Sequence, residues 1–215
     1  MSFQTARIAP NVASDRAAAD VRRQLQAHRT CAFDFVATTA AGTTSLLERV
    51  LRRLSDRLAI GVLCGIREDA ERLGRCGACV IHVPVQDPDR FRAGDVLAAL
   101  ERIDLARTDL VFIERGSRHH GRAAADLGVD STVAVVGADA LPETGAVRDL
   151  LGGADYAIVT KVDVAGTGQR VADARARWRG AFPALRVFAC SAETGEGLDD
   201  WCTLLEARVG DAVIA

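Results

Sequence analysis

The stretch VATTAAGTTSLLERV, residues 36–50, joins the end of an apolar run to the start of an amphipathic one. A phosphate-binding loop has the form GxxxxGK[ST]. Its glycines let backbone N–H groups close around phosphate oxygens, its lysine reaches the terminal phosphates, and its hydroxyl holds magnesium. The corresponding octet here is Ala37-Thr38-Thr39-Ala40-Ala41-Gly42-Thr43-Thr44. Gly42 and Thr44 keep the pattern, whereas Ala37 replaces the first glycine and Thr43 the lysine. Alone, the octet reads as well as a plain strand-to-helix turn with a threonine capping the helix. Beyond it, Leu46, Leu47, Val50, Leu51 and Leu54 follow the i, i+3, i+4 spacing of one buried face, which predicts a helix over 45–57.

Working outward, short runs rich in β-branched residues recur at 31–37, 59–64, 79–85, 109–114, 132–137, 156–160 and 186–190. Most are continuously apolar rather than alternating, as in strands covered on both faces. Helical patterns fall between them, at 91–103, 143–152, 168–180 and 197–208, and a further helix over 13–28 precedes the first strand. The alternation predicts an α/β, three-layer fold, a central, mostly parallel sheet of about seven strands with helices on both faces, which together with the phosphate-loop-shaped octet is P-loop NTPase-like. One domain is expected over 15–210, after a tail of residues 1–14. The 49% hydrophobic content suffices for a sizeable core, and a net charge of −2 provides no overall attraction for nucleic acid or an anionic membrane. The arginine clusters at 51–57 and 174–180 read as solvated helix faces. With no run of about 18 apolar residues and no signal-like start, the expected location is cytoplasmic, where the six cysteines are mostly small buried hydrophobes.

In such a sheet ligands gather at the carboxyl ends of the strands. After the strand YAIVT comes TKVD, Thr160 to Asp163. A carboxylate at Asp163 can accept from the N1–H and N2–H₂ edge of guanine, where adenine presents a lone pair at N1, and the Lys161 stem can lie along the base. After RVFAC comes SAETGEG, with Ser191, Ala192 and Glu193 leading, where a backbone N–H near Ala192 can meet guanine O6. The order of the three segments, each following a strand, points to guanine nucleotide, GTP or GDP, held by Ala40, Ala41, Gly42, Thr43, Thr44, Ser45, Thr160, Lys161, Asp163, Ser191, Ala192 and Glu193. Magnesium is expected through Thr44.

The segments AFDFVATTAAGTTSLLERV, DAERL, DLVFIERGS, ADYAIVTKVDV and CSAETGEGLDDW resemble, in order from about residue 15 to 207, the nickel-inserting GTPases of hydrogenase maturation, the HypB family. The resemblance implies a dimeric P-loop GTPase that binds nickel or zinc and delivers nickel to a hydrogenase precursor. It assigns the family's glutamate to Glu114, the candidate catalytic residue. The departures fall at the phosphate end. Ala40 and Thr43 stand where the family has glycine and lysine, Ile66 follows Gly65 where it carries an aspartate, and Arg115 to Arg118 replace a neutral segment. Arg67 and Arg115 are the candidates to make up the lost positive charge. The family's metal ligands align with Asp89, Arg90 and Gly121. In their place the chain offers Cys76 and Cys79 in a CxxC spacing, with His82 and the His119-His120 pair as further donors, although two packed thiols explain the spacing equally.

Three functions follow: a guanine-nucleotide-binding accessory protein with weak or absent hydrolysis, a working nickel-inserting GTPase, or a nucleotide-free module pairing with a true HypB-type GTPase. The partners expected are hydrogenase maturation proteins or that GTPase, in a homo- or heterodimer, with no nucleic acid and no membrane.

Overall fold

The computed structural model describes residues 12–84, 91–116, 125–141 and 145–214. Strands β1 (Cys31–Ala37), β2 (Ile60–Cys64), β3 (Cys79–His82), β4 (Leu110–Glu114), β5 (Ser131–Gly137), β6 (Tyr156–Thr160) and β7 (Arg186–Ala189) form one sheet. Its order is β3-β2-β4-β1-β5-β6-β7, and every neighbouring pair is parallel. The helices are α1 (Val12–His28), α2 (Thr43–Leu54), α3 (Arg67–Gly74), α4 (Ala93–Leu100), α5 (Gly145–Gly152), α6 (Gly168–Ala181) and α7 (Leu198–Ile214).

The alternation along β1 sorts the layers. Phe33 and Phe35 join α2, α3 and α7 on one face, while Ala32 and Val36 meet α1, α4, α5 and α6 on the other. On the first face Trp201 of α7 is packed edge-on against Phe33, Phe35, Tyr156 and Phe188, with ring centroids 5.2 Å apart at Phe188 and 6.3 Å at Phe35. Such pairs add about 0.5–1.5 kcal/mol each beyond the area they bury.

Several elements differ from the sequence reading, and α2 and α4 each end three residues earlier than expected, at Leu54 and Leu100. Helix α3 was not expected; it is short, and only Ala70 and Leu73 on it are buried, too few to establish a periodicity. Helix α7 continues past residue 208 because Val209 and Ala212 keep packing on the core. The expected strand over 79–85 ends at His82, and Val85 lies outside the described residues.

A buried ion pair interrupts the apolar centre. Asp34, between Phe33 and Phe35 on β1, and Arg115, just past β4, are each only 1% exposed. Arg115 Nε donates to Asp34 Oδ1 at 2.7 Å, and its Nη2 donates both to Asp34 Oδ2 and, at 3.2 Å, to the Ala125 carbonyl. A buried charge requires such a partner, because an unpaired one is held out of water at a cost of several kcal/mol.

The chain winds outward from β1 in both directions, so the strand order reverses beside it and a crevice opens at the carboxyl ends. Residues 37–44, 65–67, 114–116, 160–163 and 191–193 all follow strands at that one edge.

Candidate nucleotide site

The phosphate loop keeps Gly42 alone of its glycines, and backbone hydrogen bonds hold its turn. Thr38 N–H donates to the Val135 carbonyl at 3.0 Å, Ala41 N–H to the Thr38 carbonyl at 3.1 Å, and Gly42 begins α2 in a left-handed conformation, φ 81°. No side chain caps α2, so the threonine cap considered from sequence is not formed. Ala40 takes φ 57°, a conformation that costs a residue with a Cβ about 1–2 kcal/mol. The loop is therefore held to a phosphate-loop path against local preference.

At the lysine position, the Thr43 hydroxyl is buried and finds no partner among the described residues. The next residue is better served. Thr44 Oγ1 donates to Glu114 Oε1 at 2.6 Å, while Cys64 Sγ lies 3.2 Å from Glu114 Oε2 and shares its hydrogen with that oxygen. Burial pushes the Glu114 carboxyl and the Cys64 thiol up from their usual ranges. Asp69, from the first turn of α3, also interacts with the Thr44 hydroxyl, and burial raises its carboxyl too. A threonine hydroxyl backed by carboxylates at a helix start suits a hard divalent cation that keeps most of its water, as magnesium does.

The two arginines considered as substitutes for the lysine fare differently. Arg115 is committed to Asp34 and points into the fold, which removes it as a phosphate ligand. Arg67 is exposed at the start of α3. A cation that sequence reasoning passed over, Arg72, reaches the phosphate-loop helix, donating to Ser45 Oγ at 3.0 Å and pairing with Glu48 at 2.5 Å.

The segments expected at the base end come together. Thr160 Oγ1 donates to the Ala41 carbonyl at 2.5 Å, tying the end of β6 to the phosphate loop. Lys161 adopts φ 60°, and its Cε would lie 3.9 Å from a Cβ built on Gly42, so its stem runs close over that glycine. Val162 is half-buried against the core, and Asp163 emerges exposed, with no hydrogen bond or ion pair among the described residues. Opposite, Ser191 is fully buried and its Oγ accepts from Glu193 N–H at 3.1 Å and Thr194 N–H at 3.0 Å. That turn leaves the Ala192 N–H without a partner among the described residues. The Glu193 carbonyl accepts from Arg49 of α2 at 2.9 Å, which anchors the loop to the phosphate-loop helix. Ala41, Gly42, Ser45, Thr160, Lys161, Asp163, Ala192 and Glu193 line a cleft of ≈ 170 Å³. Its size suits a base rather than a whole nucleotide, since clefts enclosing an entire ligand run to about 300–1,000 Å³.

The proposed thiol pair is not brought together. Cys76 packs in the core beside α3, whereas Cys79 is exposed on β3, on the opposite side of that strand from Val80, which packs in the same layer as Cys76. His82 shares Val80's side. Among the described residues no group of three or more histidine, cysteine, aspartate or glutamate side chains gathers to hold a metal ion. Asp89, Arg90, Arg118, His119, His120 and Gly121 lie outside the described residues.

No protein-family model matches the chain. It is 30% identical over 210 residues to the hydrogenase maturation factor HypB of Rhizobium leguminosarum bv. viciae, covering 94% of this chain and 69% of that protein. A probable HypB of Methanocaldococcus jannaschii is 28% identical over 205 residues, covering 92% and 91% respectively. The fold also superposes on the crystal structure of HypB from Helicobacter pylori in complex with nickel, with a TM-score of 0.79 and 18% identity, over 93% of this chain and 96% of that one. With the order of the strands, the phosphate-loop path and the guanine-type motif already in place, these likenesses settle the family: the chain belongs to the hydrogenase maturation factor HypB family.

Proposed function

We propose that this protein is an accessory factor in the maturation of a nickel enzyme, a [NiFe] hydrogenase, that binds GDP or GTP and hydrolyses GTP weakly or not at all. The observation that supports this most is the contrast within one site: a cleft ending in the Asp163 carboxylate, which has no partner among the described residues, beside a phosphate loop whose lysine position is a buried threonine. Phosphoryl transfer draws almost all its catalysis from positioning and charge stabilisation, so losing the lysine removes a principal contribution.

On this reading Asp163 accepts from the guanine edge, Ala192 N–H donates to O6, and the Lys161 stem lies along the base. Thr44, with Glu114 behind it, would hold magnesium, whose charge would offset that of the phosphates. Nickel is the cargo of the pathway, and the Cys76 and Cys79 thiols, divided between core and surface, supply no common ligand set. The expected partners are other hydrogenase maturation proteins or a lysine-bearing GTPase of the same family, met as a homo- or heterodimer. A working GTPase is the second reading, supported by the intact contact between Thr44 and Glu114.

The test is GTP turnover by purified, tag-free protein with Asp163→Ala as the contamination control, alongside GDP and ATP titrations. Measurable GDP binding in preference to ATP, with negligible turnover, is expected. Robust turnover that disappears in the Asp163→Ala control overturns the weak-hydrolysis reading, and absence of any nucleotide binding leaves the interaction-module reading in its place.

A further inference from the structure

We propose that Asp139, in the loop after β5, is a positioning residue that fixes the Lys161 wall of the base cleft. The inference rests on the guanine-nucleotide reading of that cleft and adds a fourth strand's loop to it. Asp139 Oδ2 accepts from Lys161 Nζ at 2.7 Å, and this contact holds the Asp139 carboxyl below its usual range. The pair joins two loops that neither side chain could immobilise alone. Asp139 sits in the short 3₁₀ turn Ala138–Ala140, whose position is secured from outside by Arg170 Nη2 of α6, donating to the Asp139 carbonyl at 3.3 Å.

The surrounding backbone is shaped around this contact. Gly137 precedes the turn, and a Cβ built there would lie 2.3 Å from Asp139 Oδ1 and 3.7 Å from the Ala41 Cα. The carboxylate therefore occupies space that any other residue at 137 would fill, beside the phosphate loop. Among the described residues only three without glycine's freedom adopt a positive φ, and two of them, Ala40 and Lys161, stand at this edge. Such strain persists where its surroundings over-determine it. For Lys161 those surroundings are Thr160, bound to the Ala41 carbonyl, Val162, half-buried against the core, and Asp139, holding the ammonium. A free lysine stem has several rotatable bonds, and ordering it on nucleotide binding would weaken the complex. Asp139 orders it beforehand. With the phosphate-loop lysine absent, affinity depends more heavily on the base end, and so on this arrangement.

The experiment measures GDP, GMP and ATP affinities by calorimetry for wild type, Asp139→Asn, Asp139→Glu, Gly137→Ala and Asp163→Ala. Asp139→Asn should weaken GDP and GMP equally, on the order of fivefold, because the phosphates are untouched and the pair is partly solvated. Asp139→Glu should recover part of the loss, and Gly137→Ala should reproduce it by displacing the carboxylate. A melting temperature unchanged in Asp139→Asn separates this from a structural role. If Asp163→Ala abolishes binding while Asp139→Asn and Gly137→Ala bind as wild type does, the positioning role is overturned and the base cleft stands. A loss confined to GDP, with GMP unaffected, also overturns it. Failure of the wild type to bind any guanine nucleotide overturns both this role and the reading on which it rests.

Discussion

The two ends of the nucleotide cleft have been treated differently by the same chain. At the base end, charged side chains face the opening: Asp163 is exposed and unpartnered among the described residues, and Lys161 is held at the rim by Asp139. At the phosphate end most are turned inward or paired off, Arg67 remaining exposed. Arg115 neutralises Asp34 inside the sheet, Arg72 is tied to Glu48, and Glu114 is buried against Thr44 and Cys64. Of the two ends, the base end is the one that presents a charged hydrogen-bond acceptor to the opening. The difference teaches that a loop of this shape can hold its turn, down to the left-handed Ala40, with a threonine in the lysine's position.

The largest effect expected concerns Arg115. If it serves the fold rather than phosphate, Arg115→Ala leaves Asp34 as an uncompensated buried charge, and chemical denaturation should show a loss of about 3–5 kcal/mol. Replacing both members with apolar residues, Asp34→Leu with Arg115→Met, should recover most of that loss. A near-neutral Arg115→Ala with a large drop in nucleotide affinity would break the comparison, because it would return Arg115 to the phosphate end.

Asp163→Ala comes next. Removing a charged acceptor of two hydrogen bonds should weaken GDP by about 100-fold at the upper end of what such bonds contribute, leave ATP binding unchanged, and leave the fold intact because the side chain is exposed. Titration of both nucleotides against the variant checks this. Equal losses for GDP and ATP would mean that the cleft does not read the base.

These residues also show what could be read from sequence. The seven strands were legible because each is a short continuous apolar run, and the TKVD and SAETGEG loops because they carry their chemistry in consecutive residues. Asp69 and Arg72 were not read as site residues, since they act from a helix too short to reveal its buried face, although the DAERL segment that carries them is among the resembling stretches. Asp139 was overlooked because it belongs to the one loop at this edge with no recognised motif; its signal was a carboxylate two residues beyond an apolar strand. The partner of Arg115 could not be named from sequence for the converse reason. A lone aspartate in CAFDFVA calls for a buried cation, and only the register of β1 beside β4 shows which one answers it.

A smaller, pH-dependent effect sharpens the phosphate end. Burial raises the Glu114 carboxyl in the folded protein, so the folded state holds that proton to higher pH than the unfolded chain does. Its contribution to stability is complete below the unfolded carboxylate range and is lost as pH rises through the raised value. Glu114→Gln keeps an acceptor for Thr44 and removes the titration. Its stability relative to wild type, from urea unfolding without divalent cation, should therefore increase as pH rises from the acid range toward neutrality. A difference independent of pH would show that Glu114 does not carry this proton.

The smallest effect is the one that addresses the loop itself. The Thr43 hydroxyl is buried and bonds to nothing among the described residues, so Thr43→Lys forfeits no hydrogen bond, and lysine is at least as good a helix former at the start of α2. The restored ammonium would act chiefly on the terminal phosphates, where a partly solvated charge pair contributes about 1 kcal/mol, or roughly fivefold in affinity. GTP should therefore tighten about fivefold, GDP less, and GMP not at all. Hydrolysis should recover only in part, because Ile66 still stands where the family has a carboxylate, and Thr43→Lys with Ile66→Asp should exceed either change alone. Equal tightening of GMP and GTP would place the new charge away from the terminal phosphates. Full turnover from Thr43→Lys alone would show that the phosphate end had lost one side chain and nothing else, and that the carboxylates around Thr44 were poised for catalysis throughout.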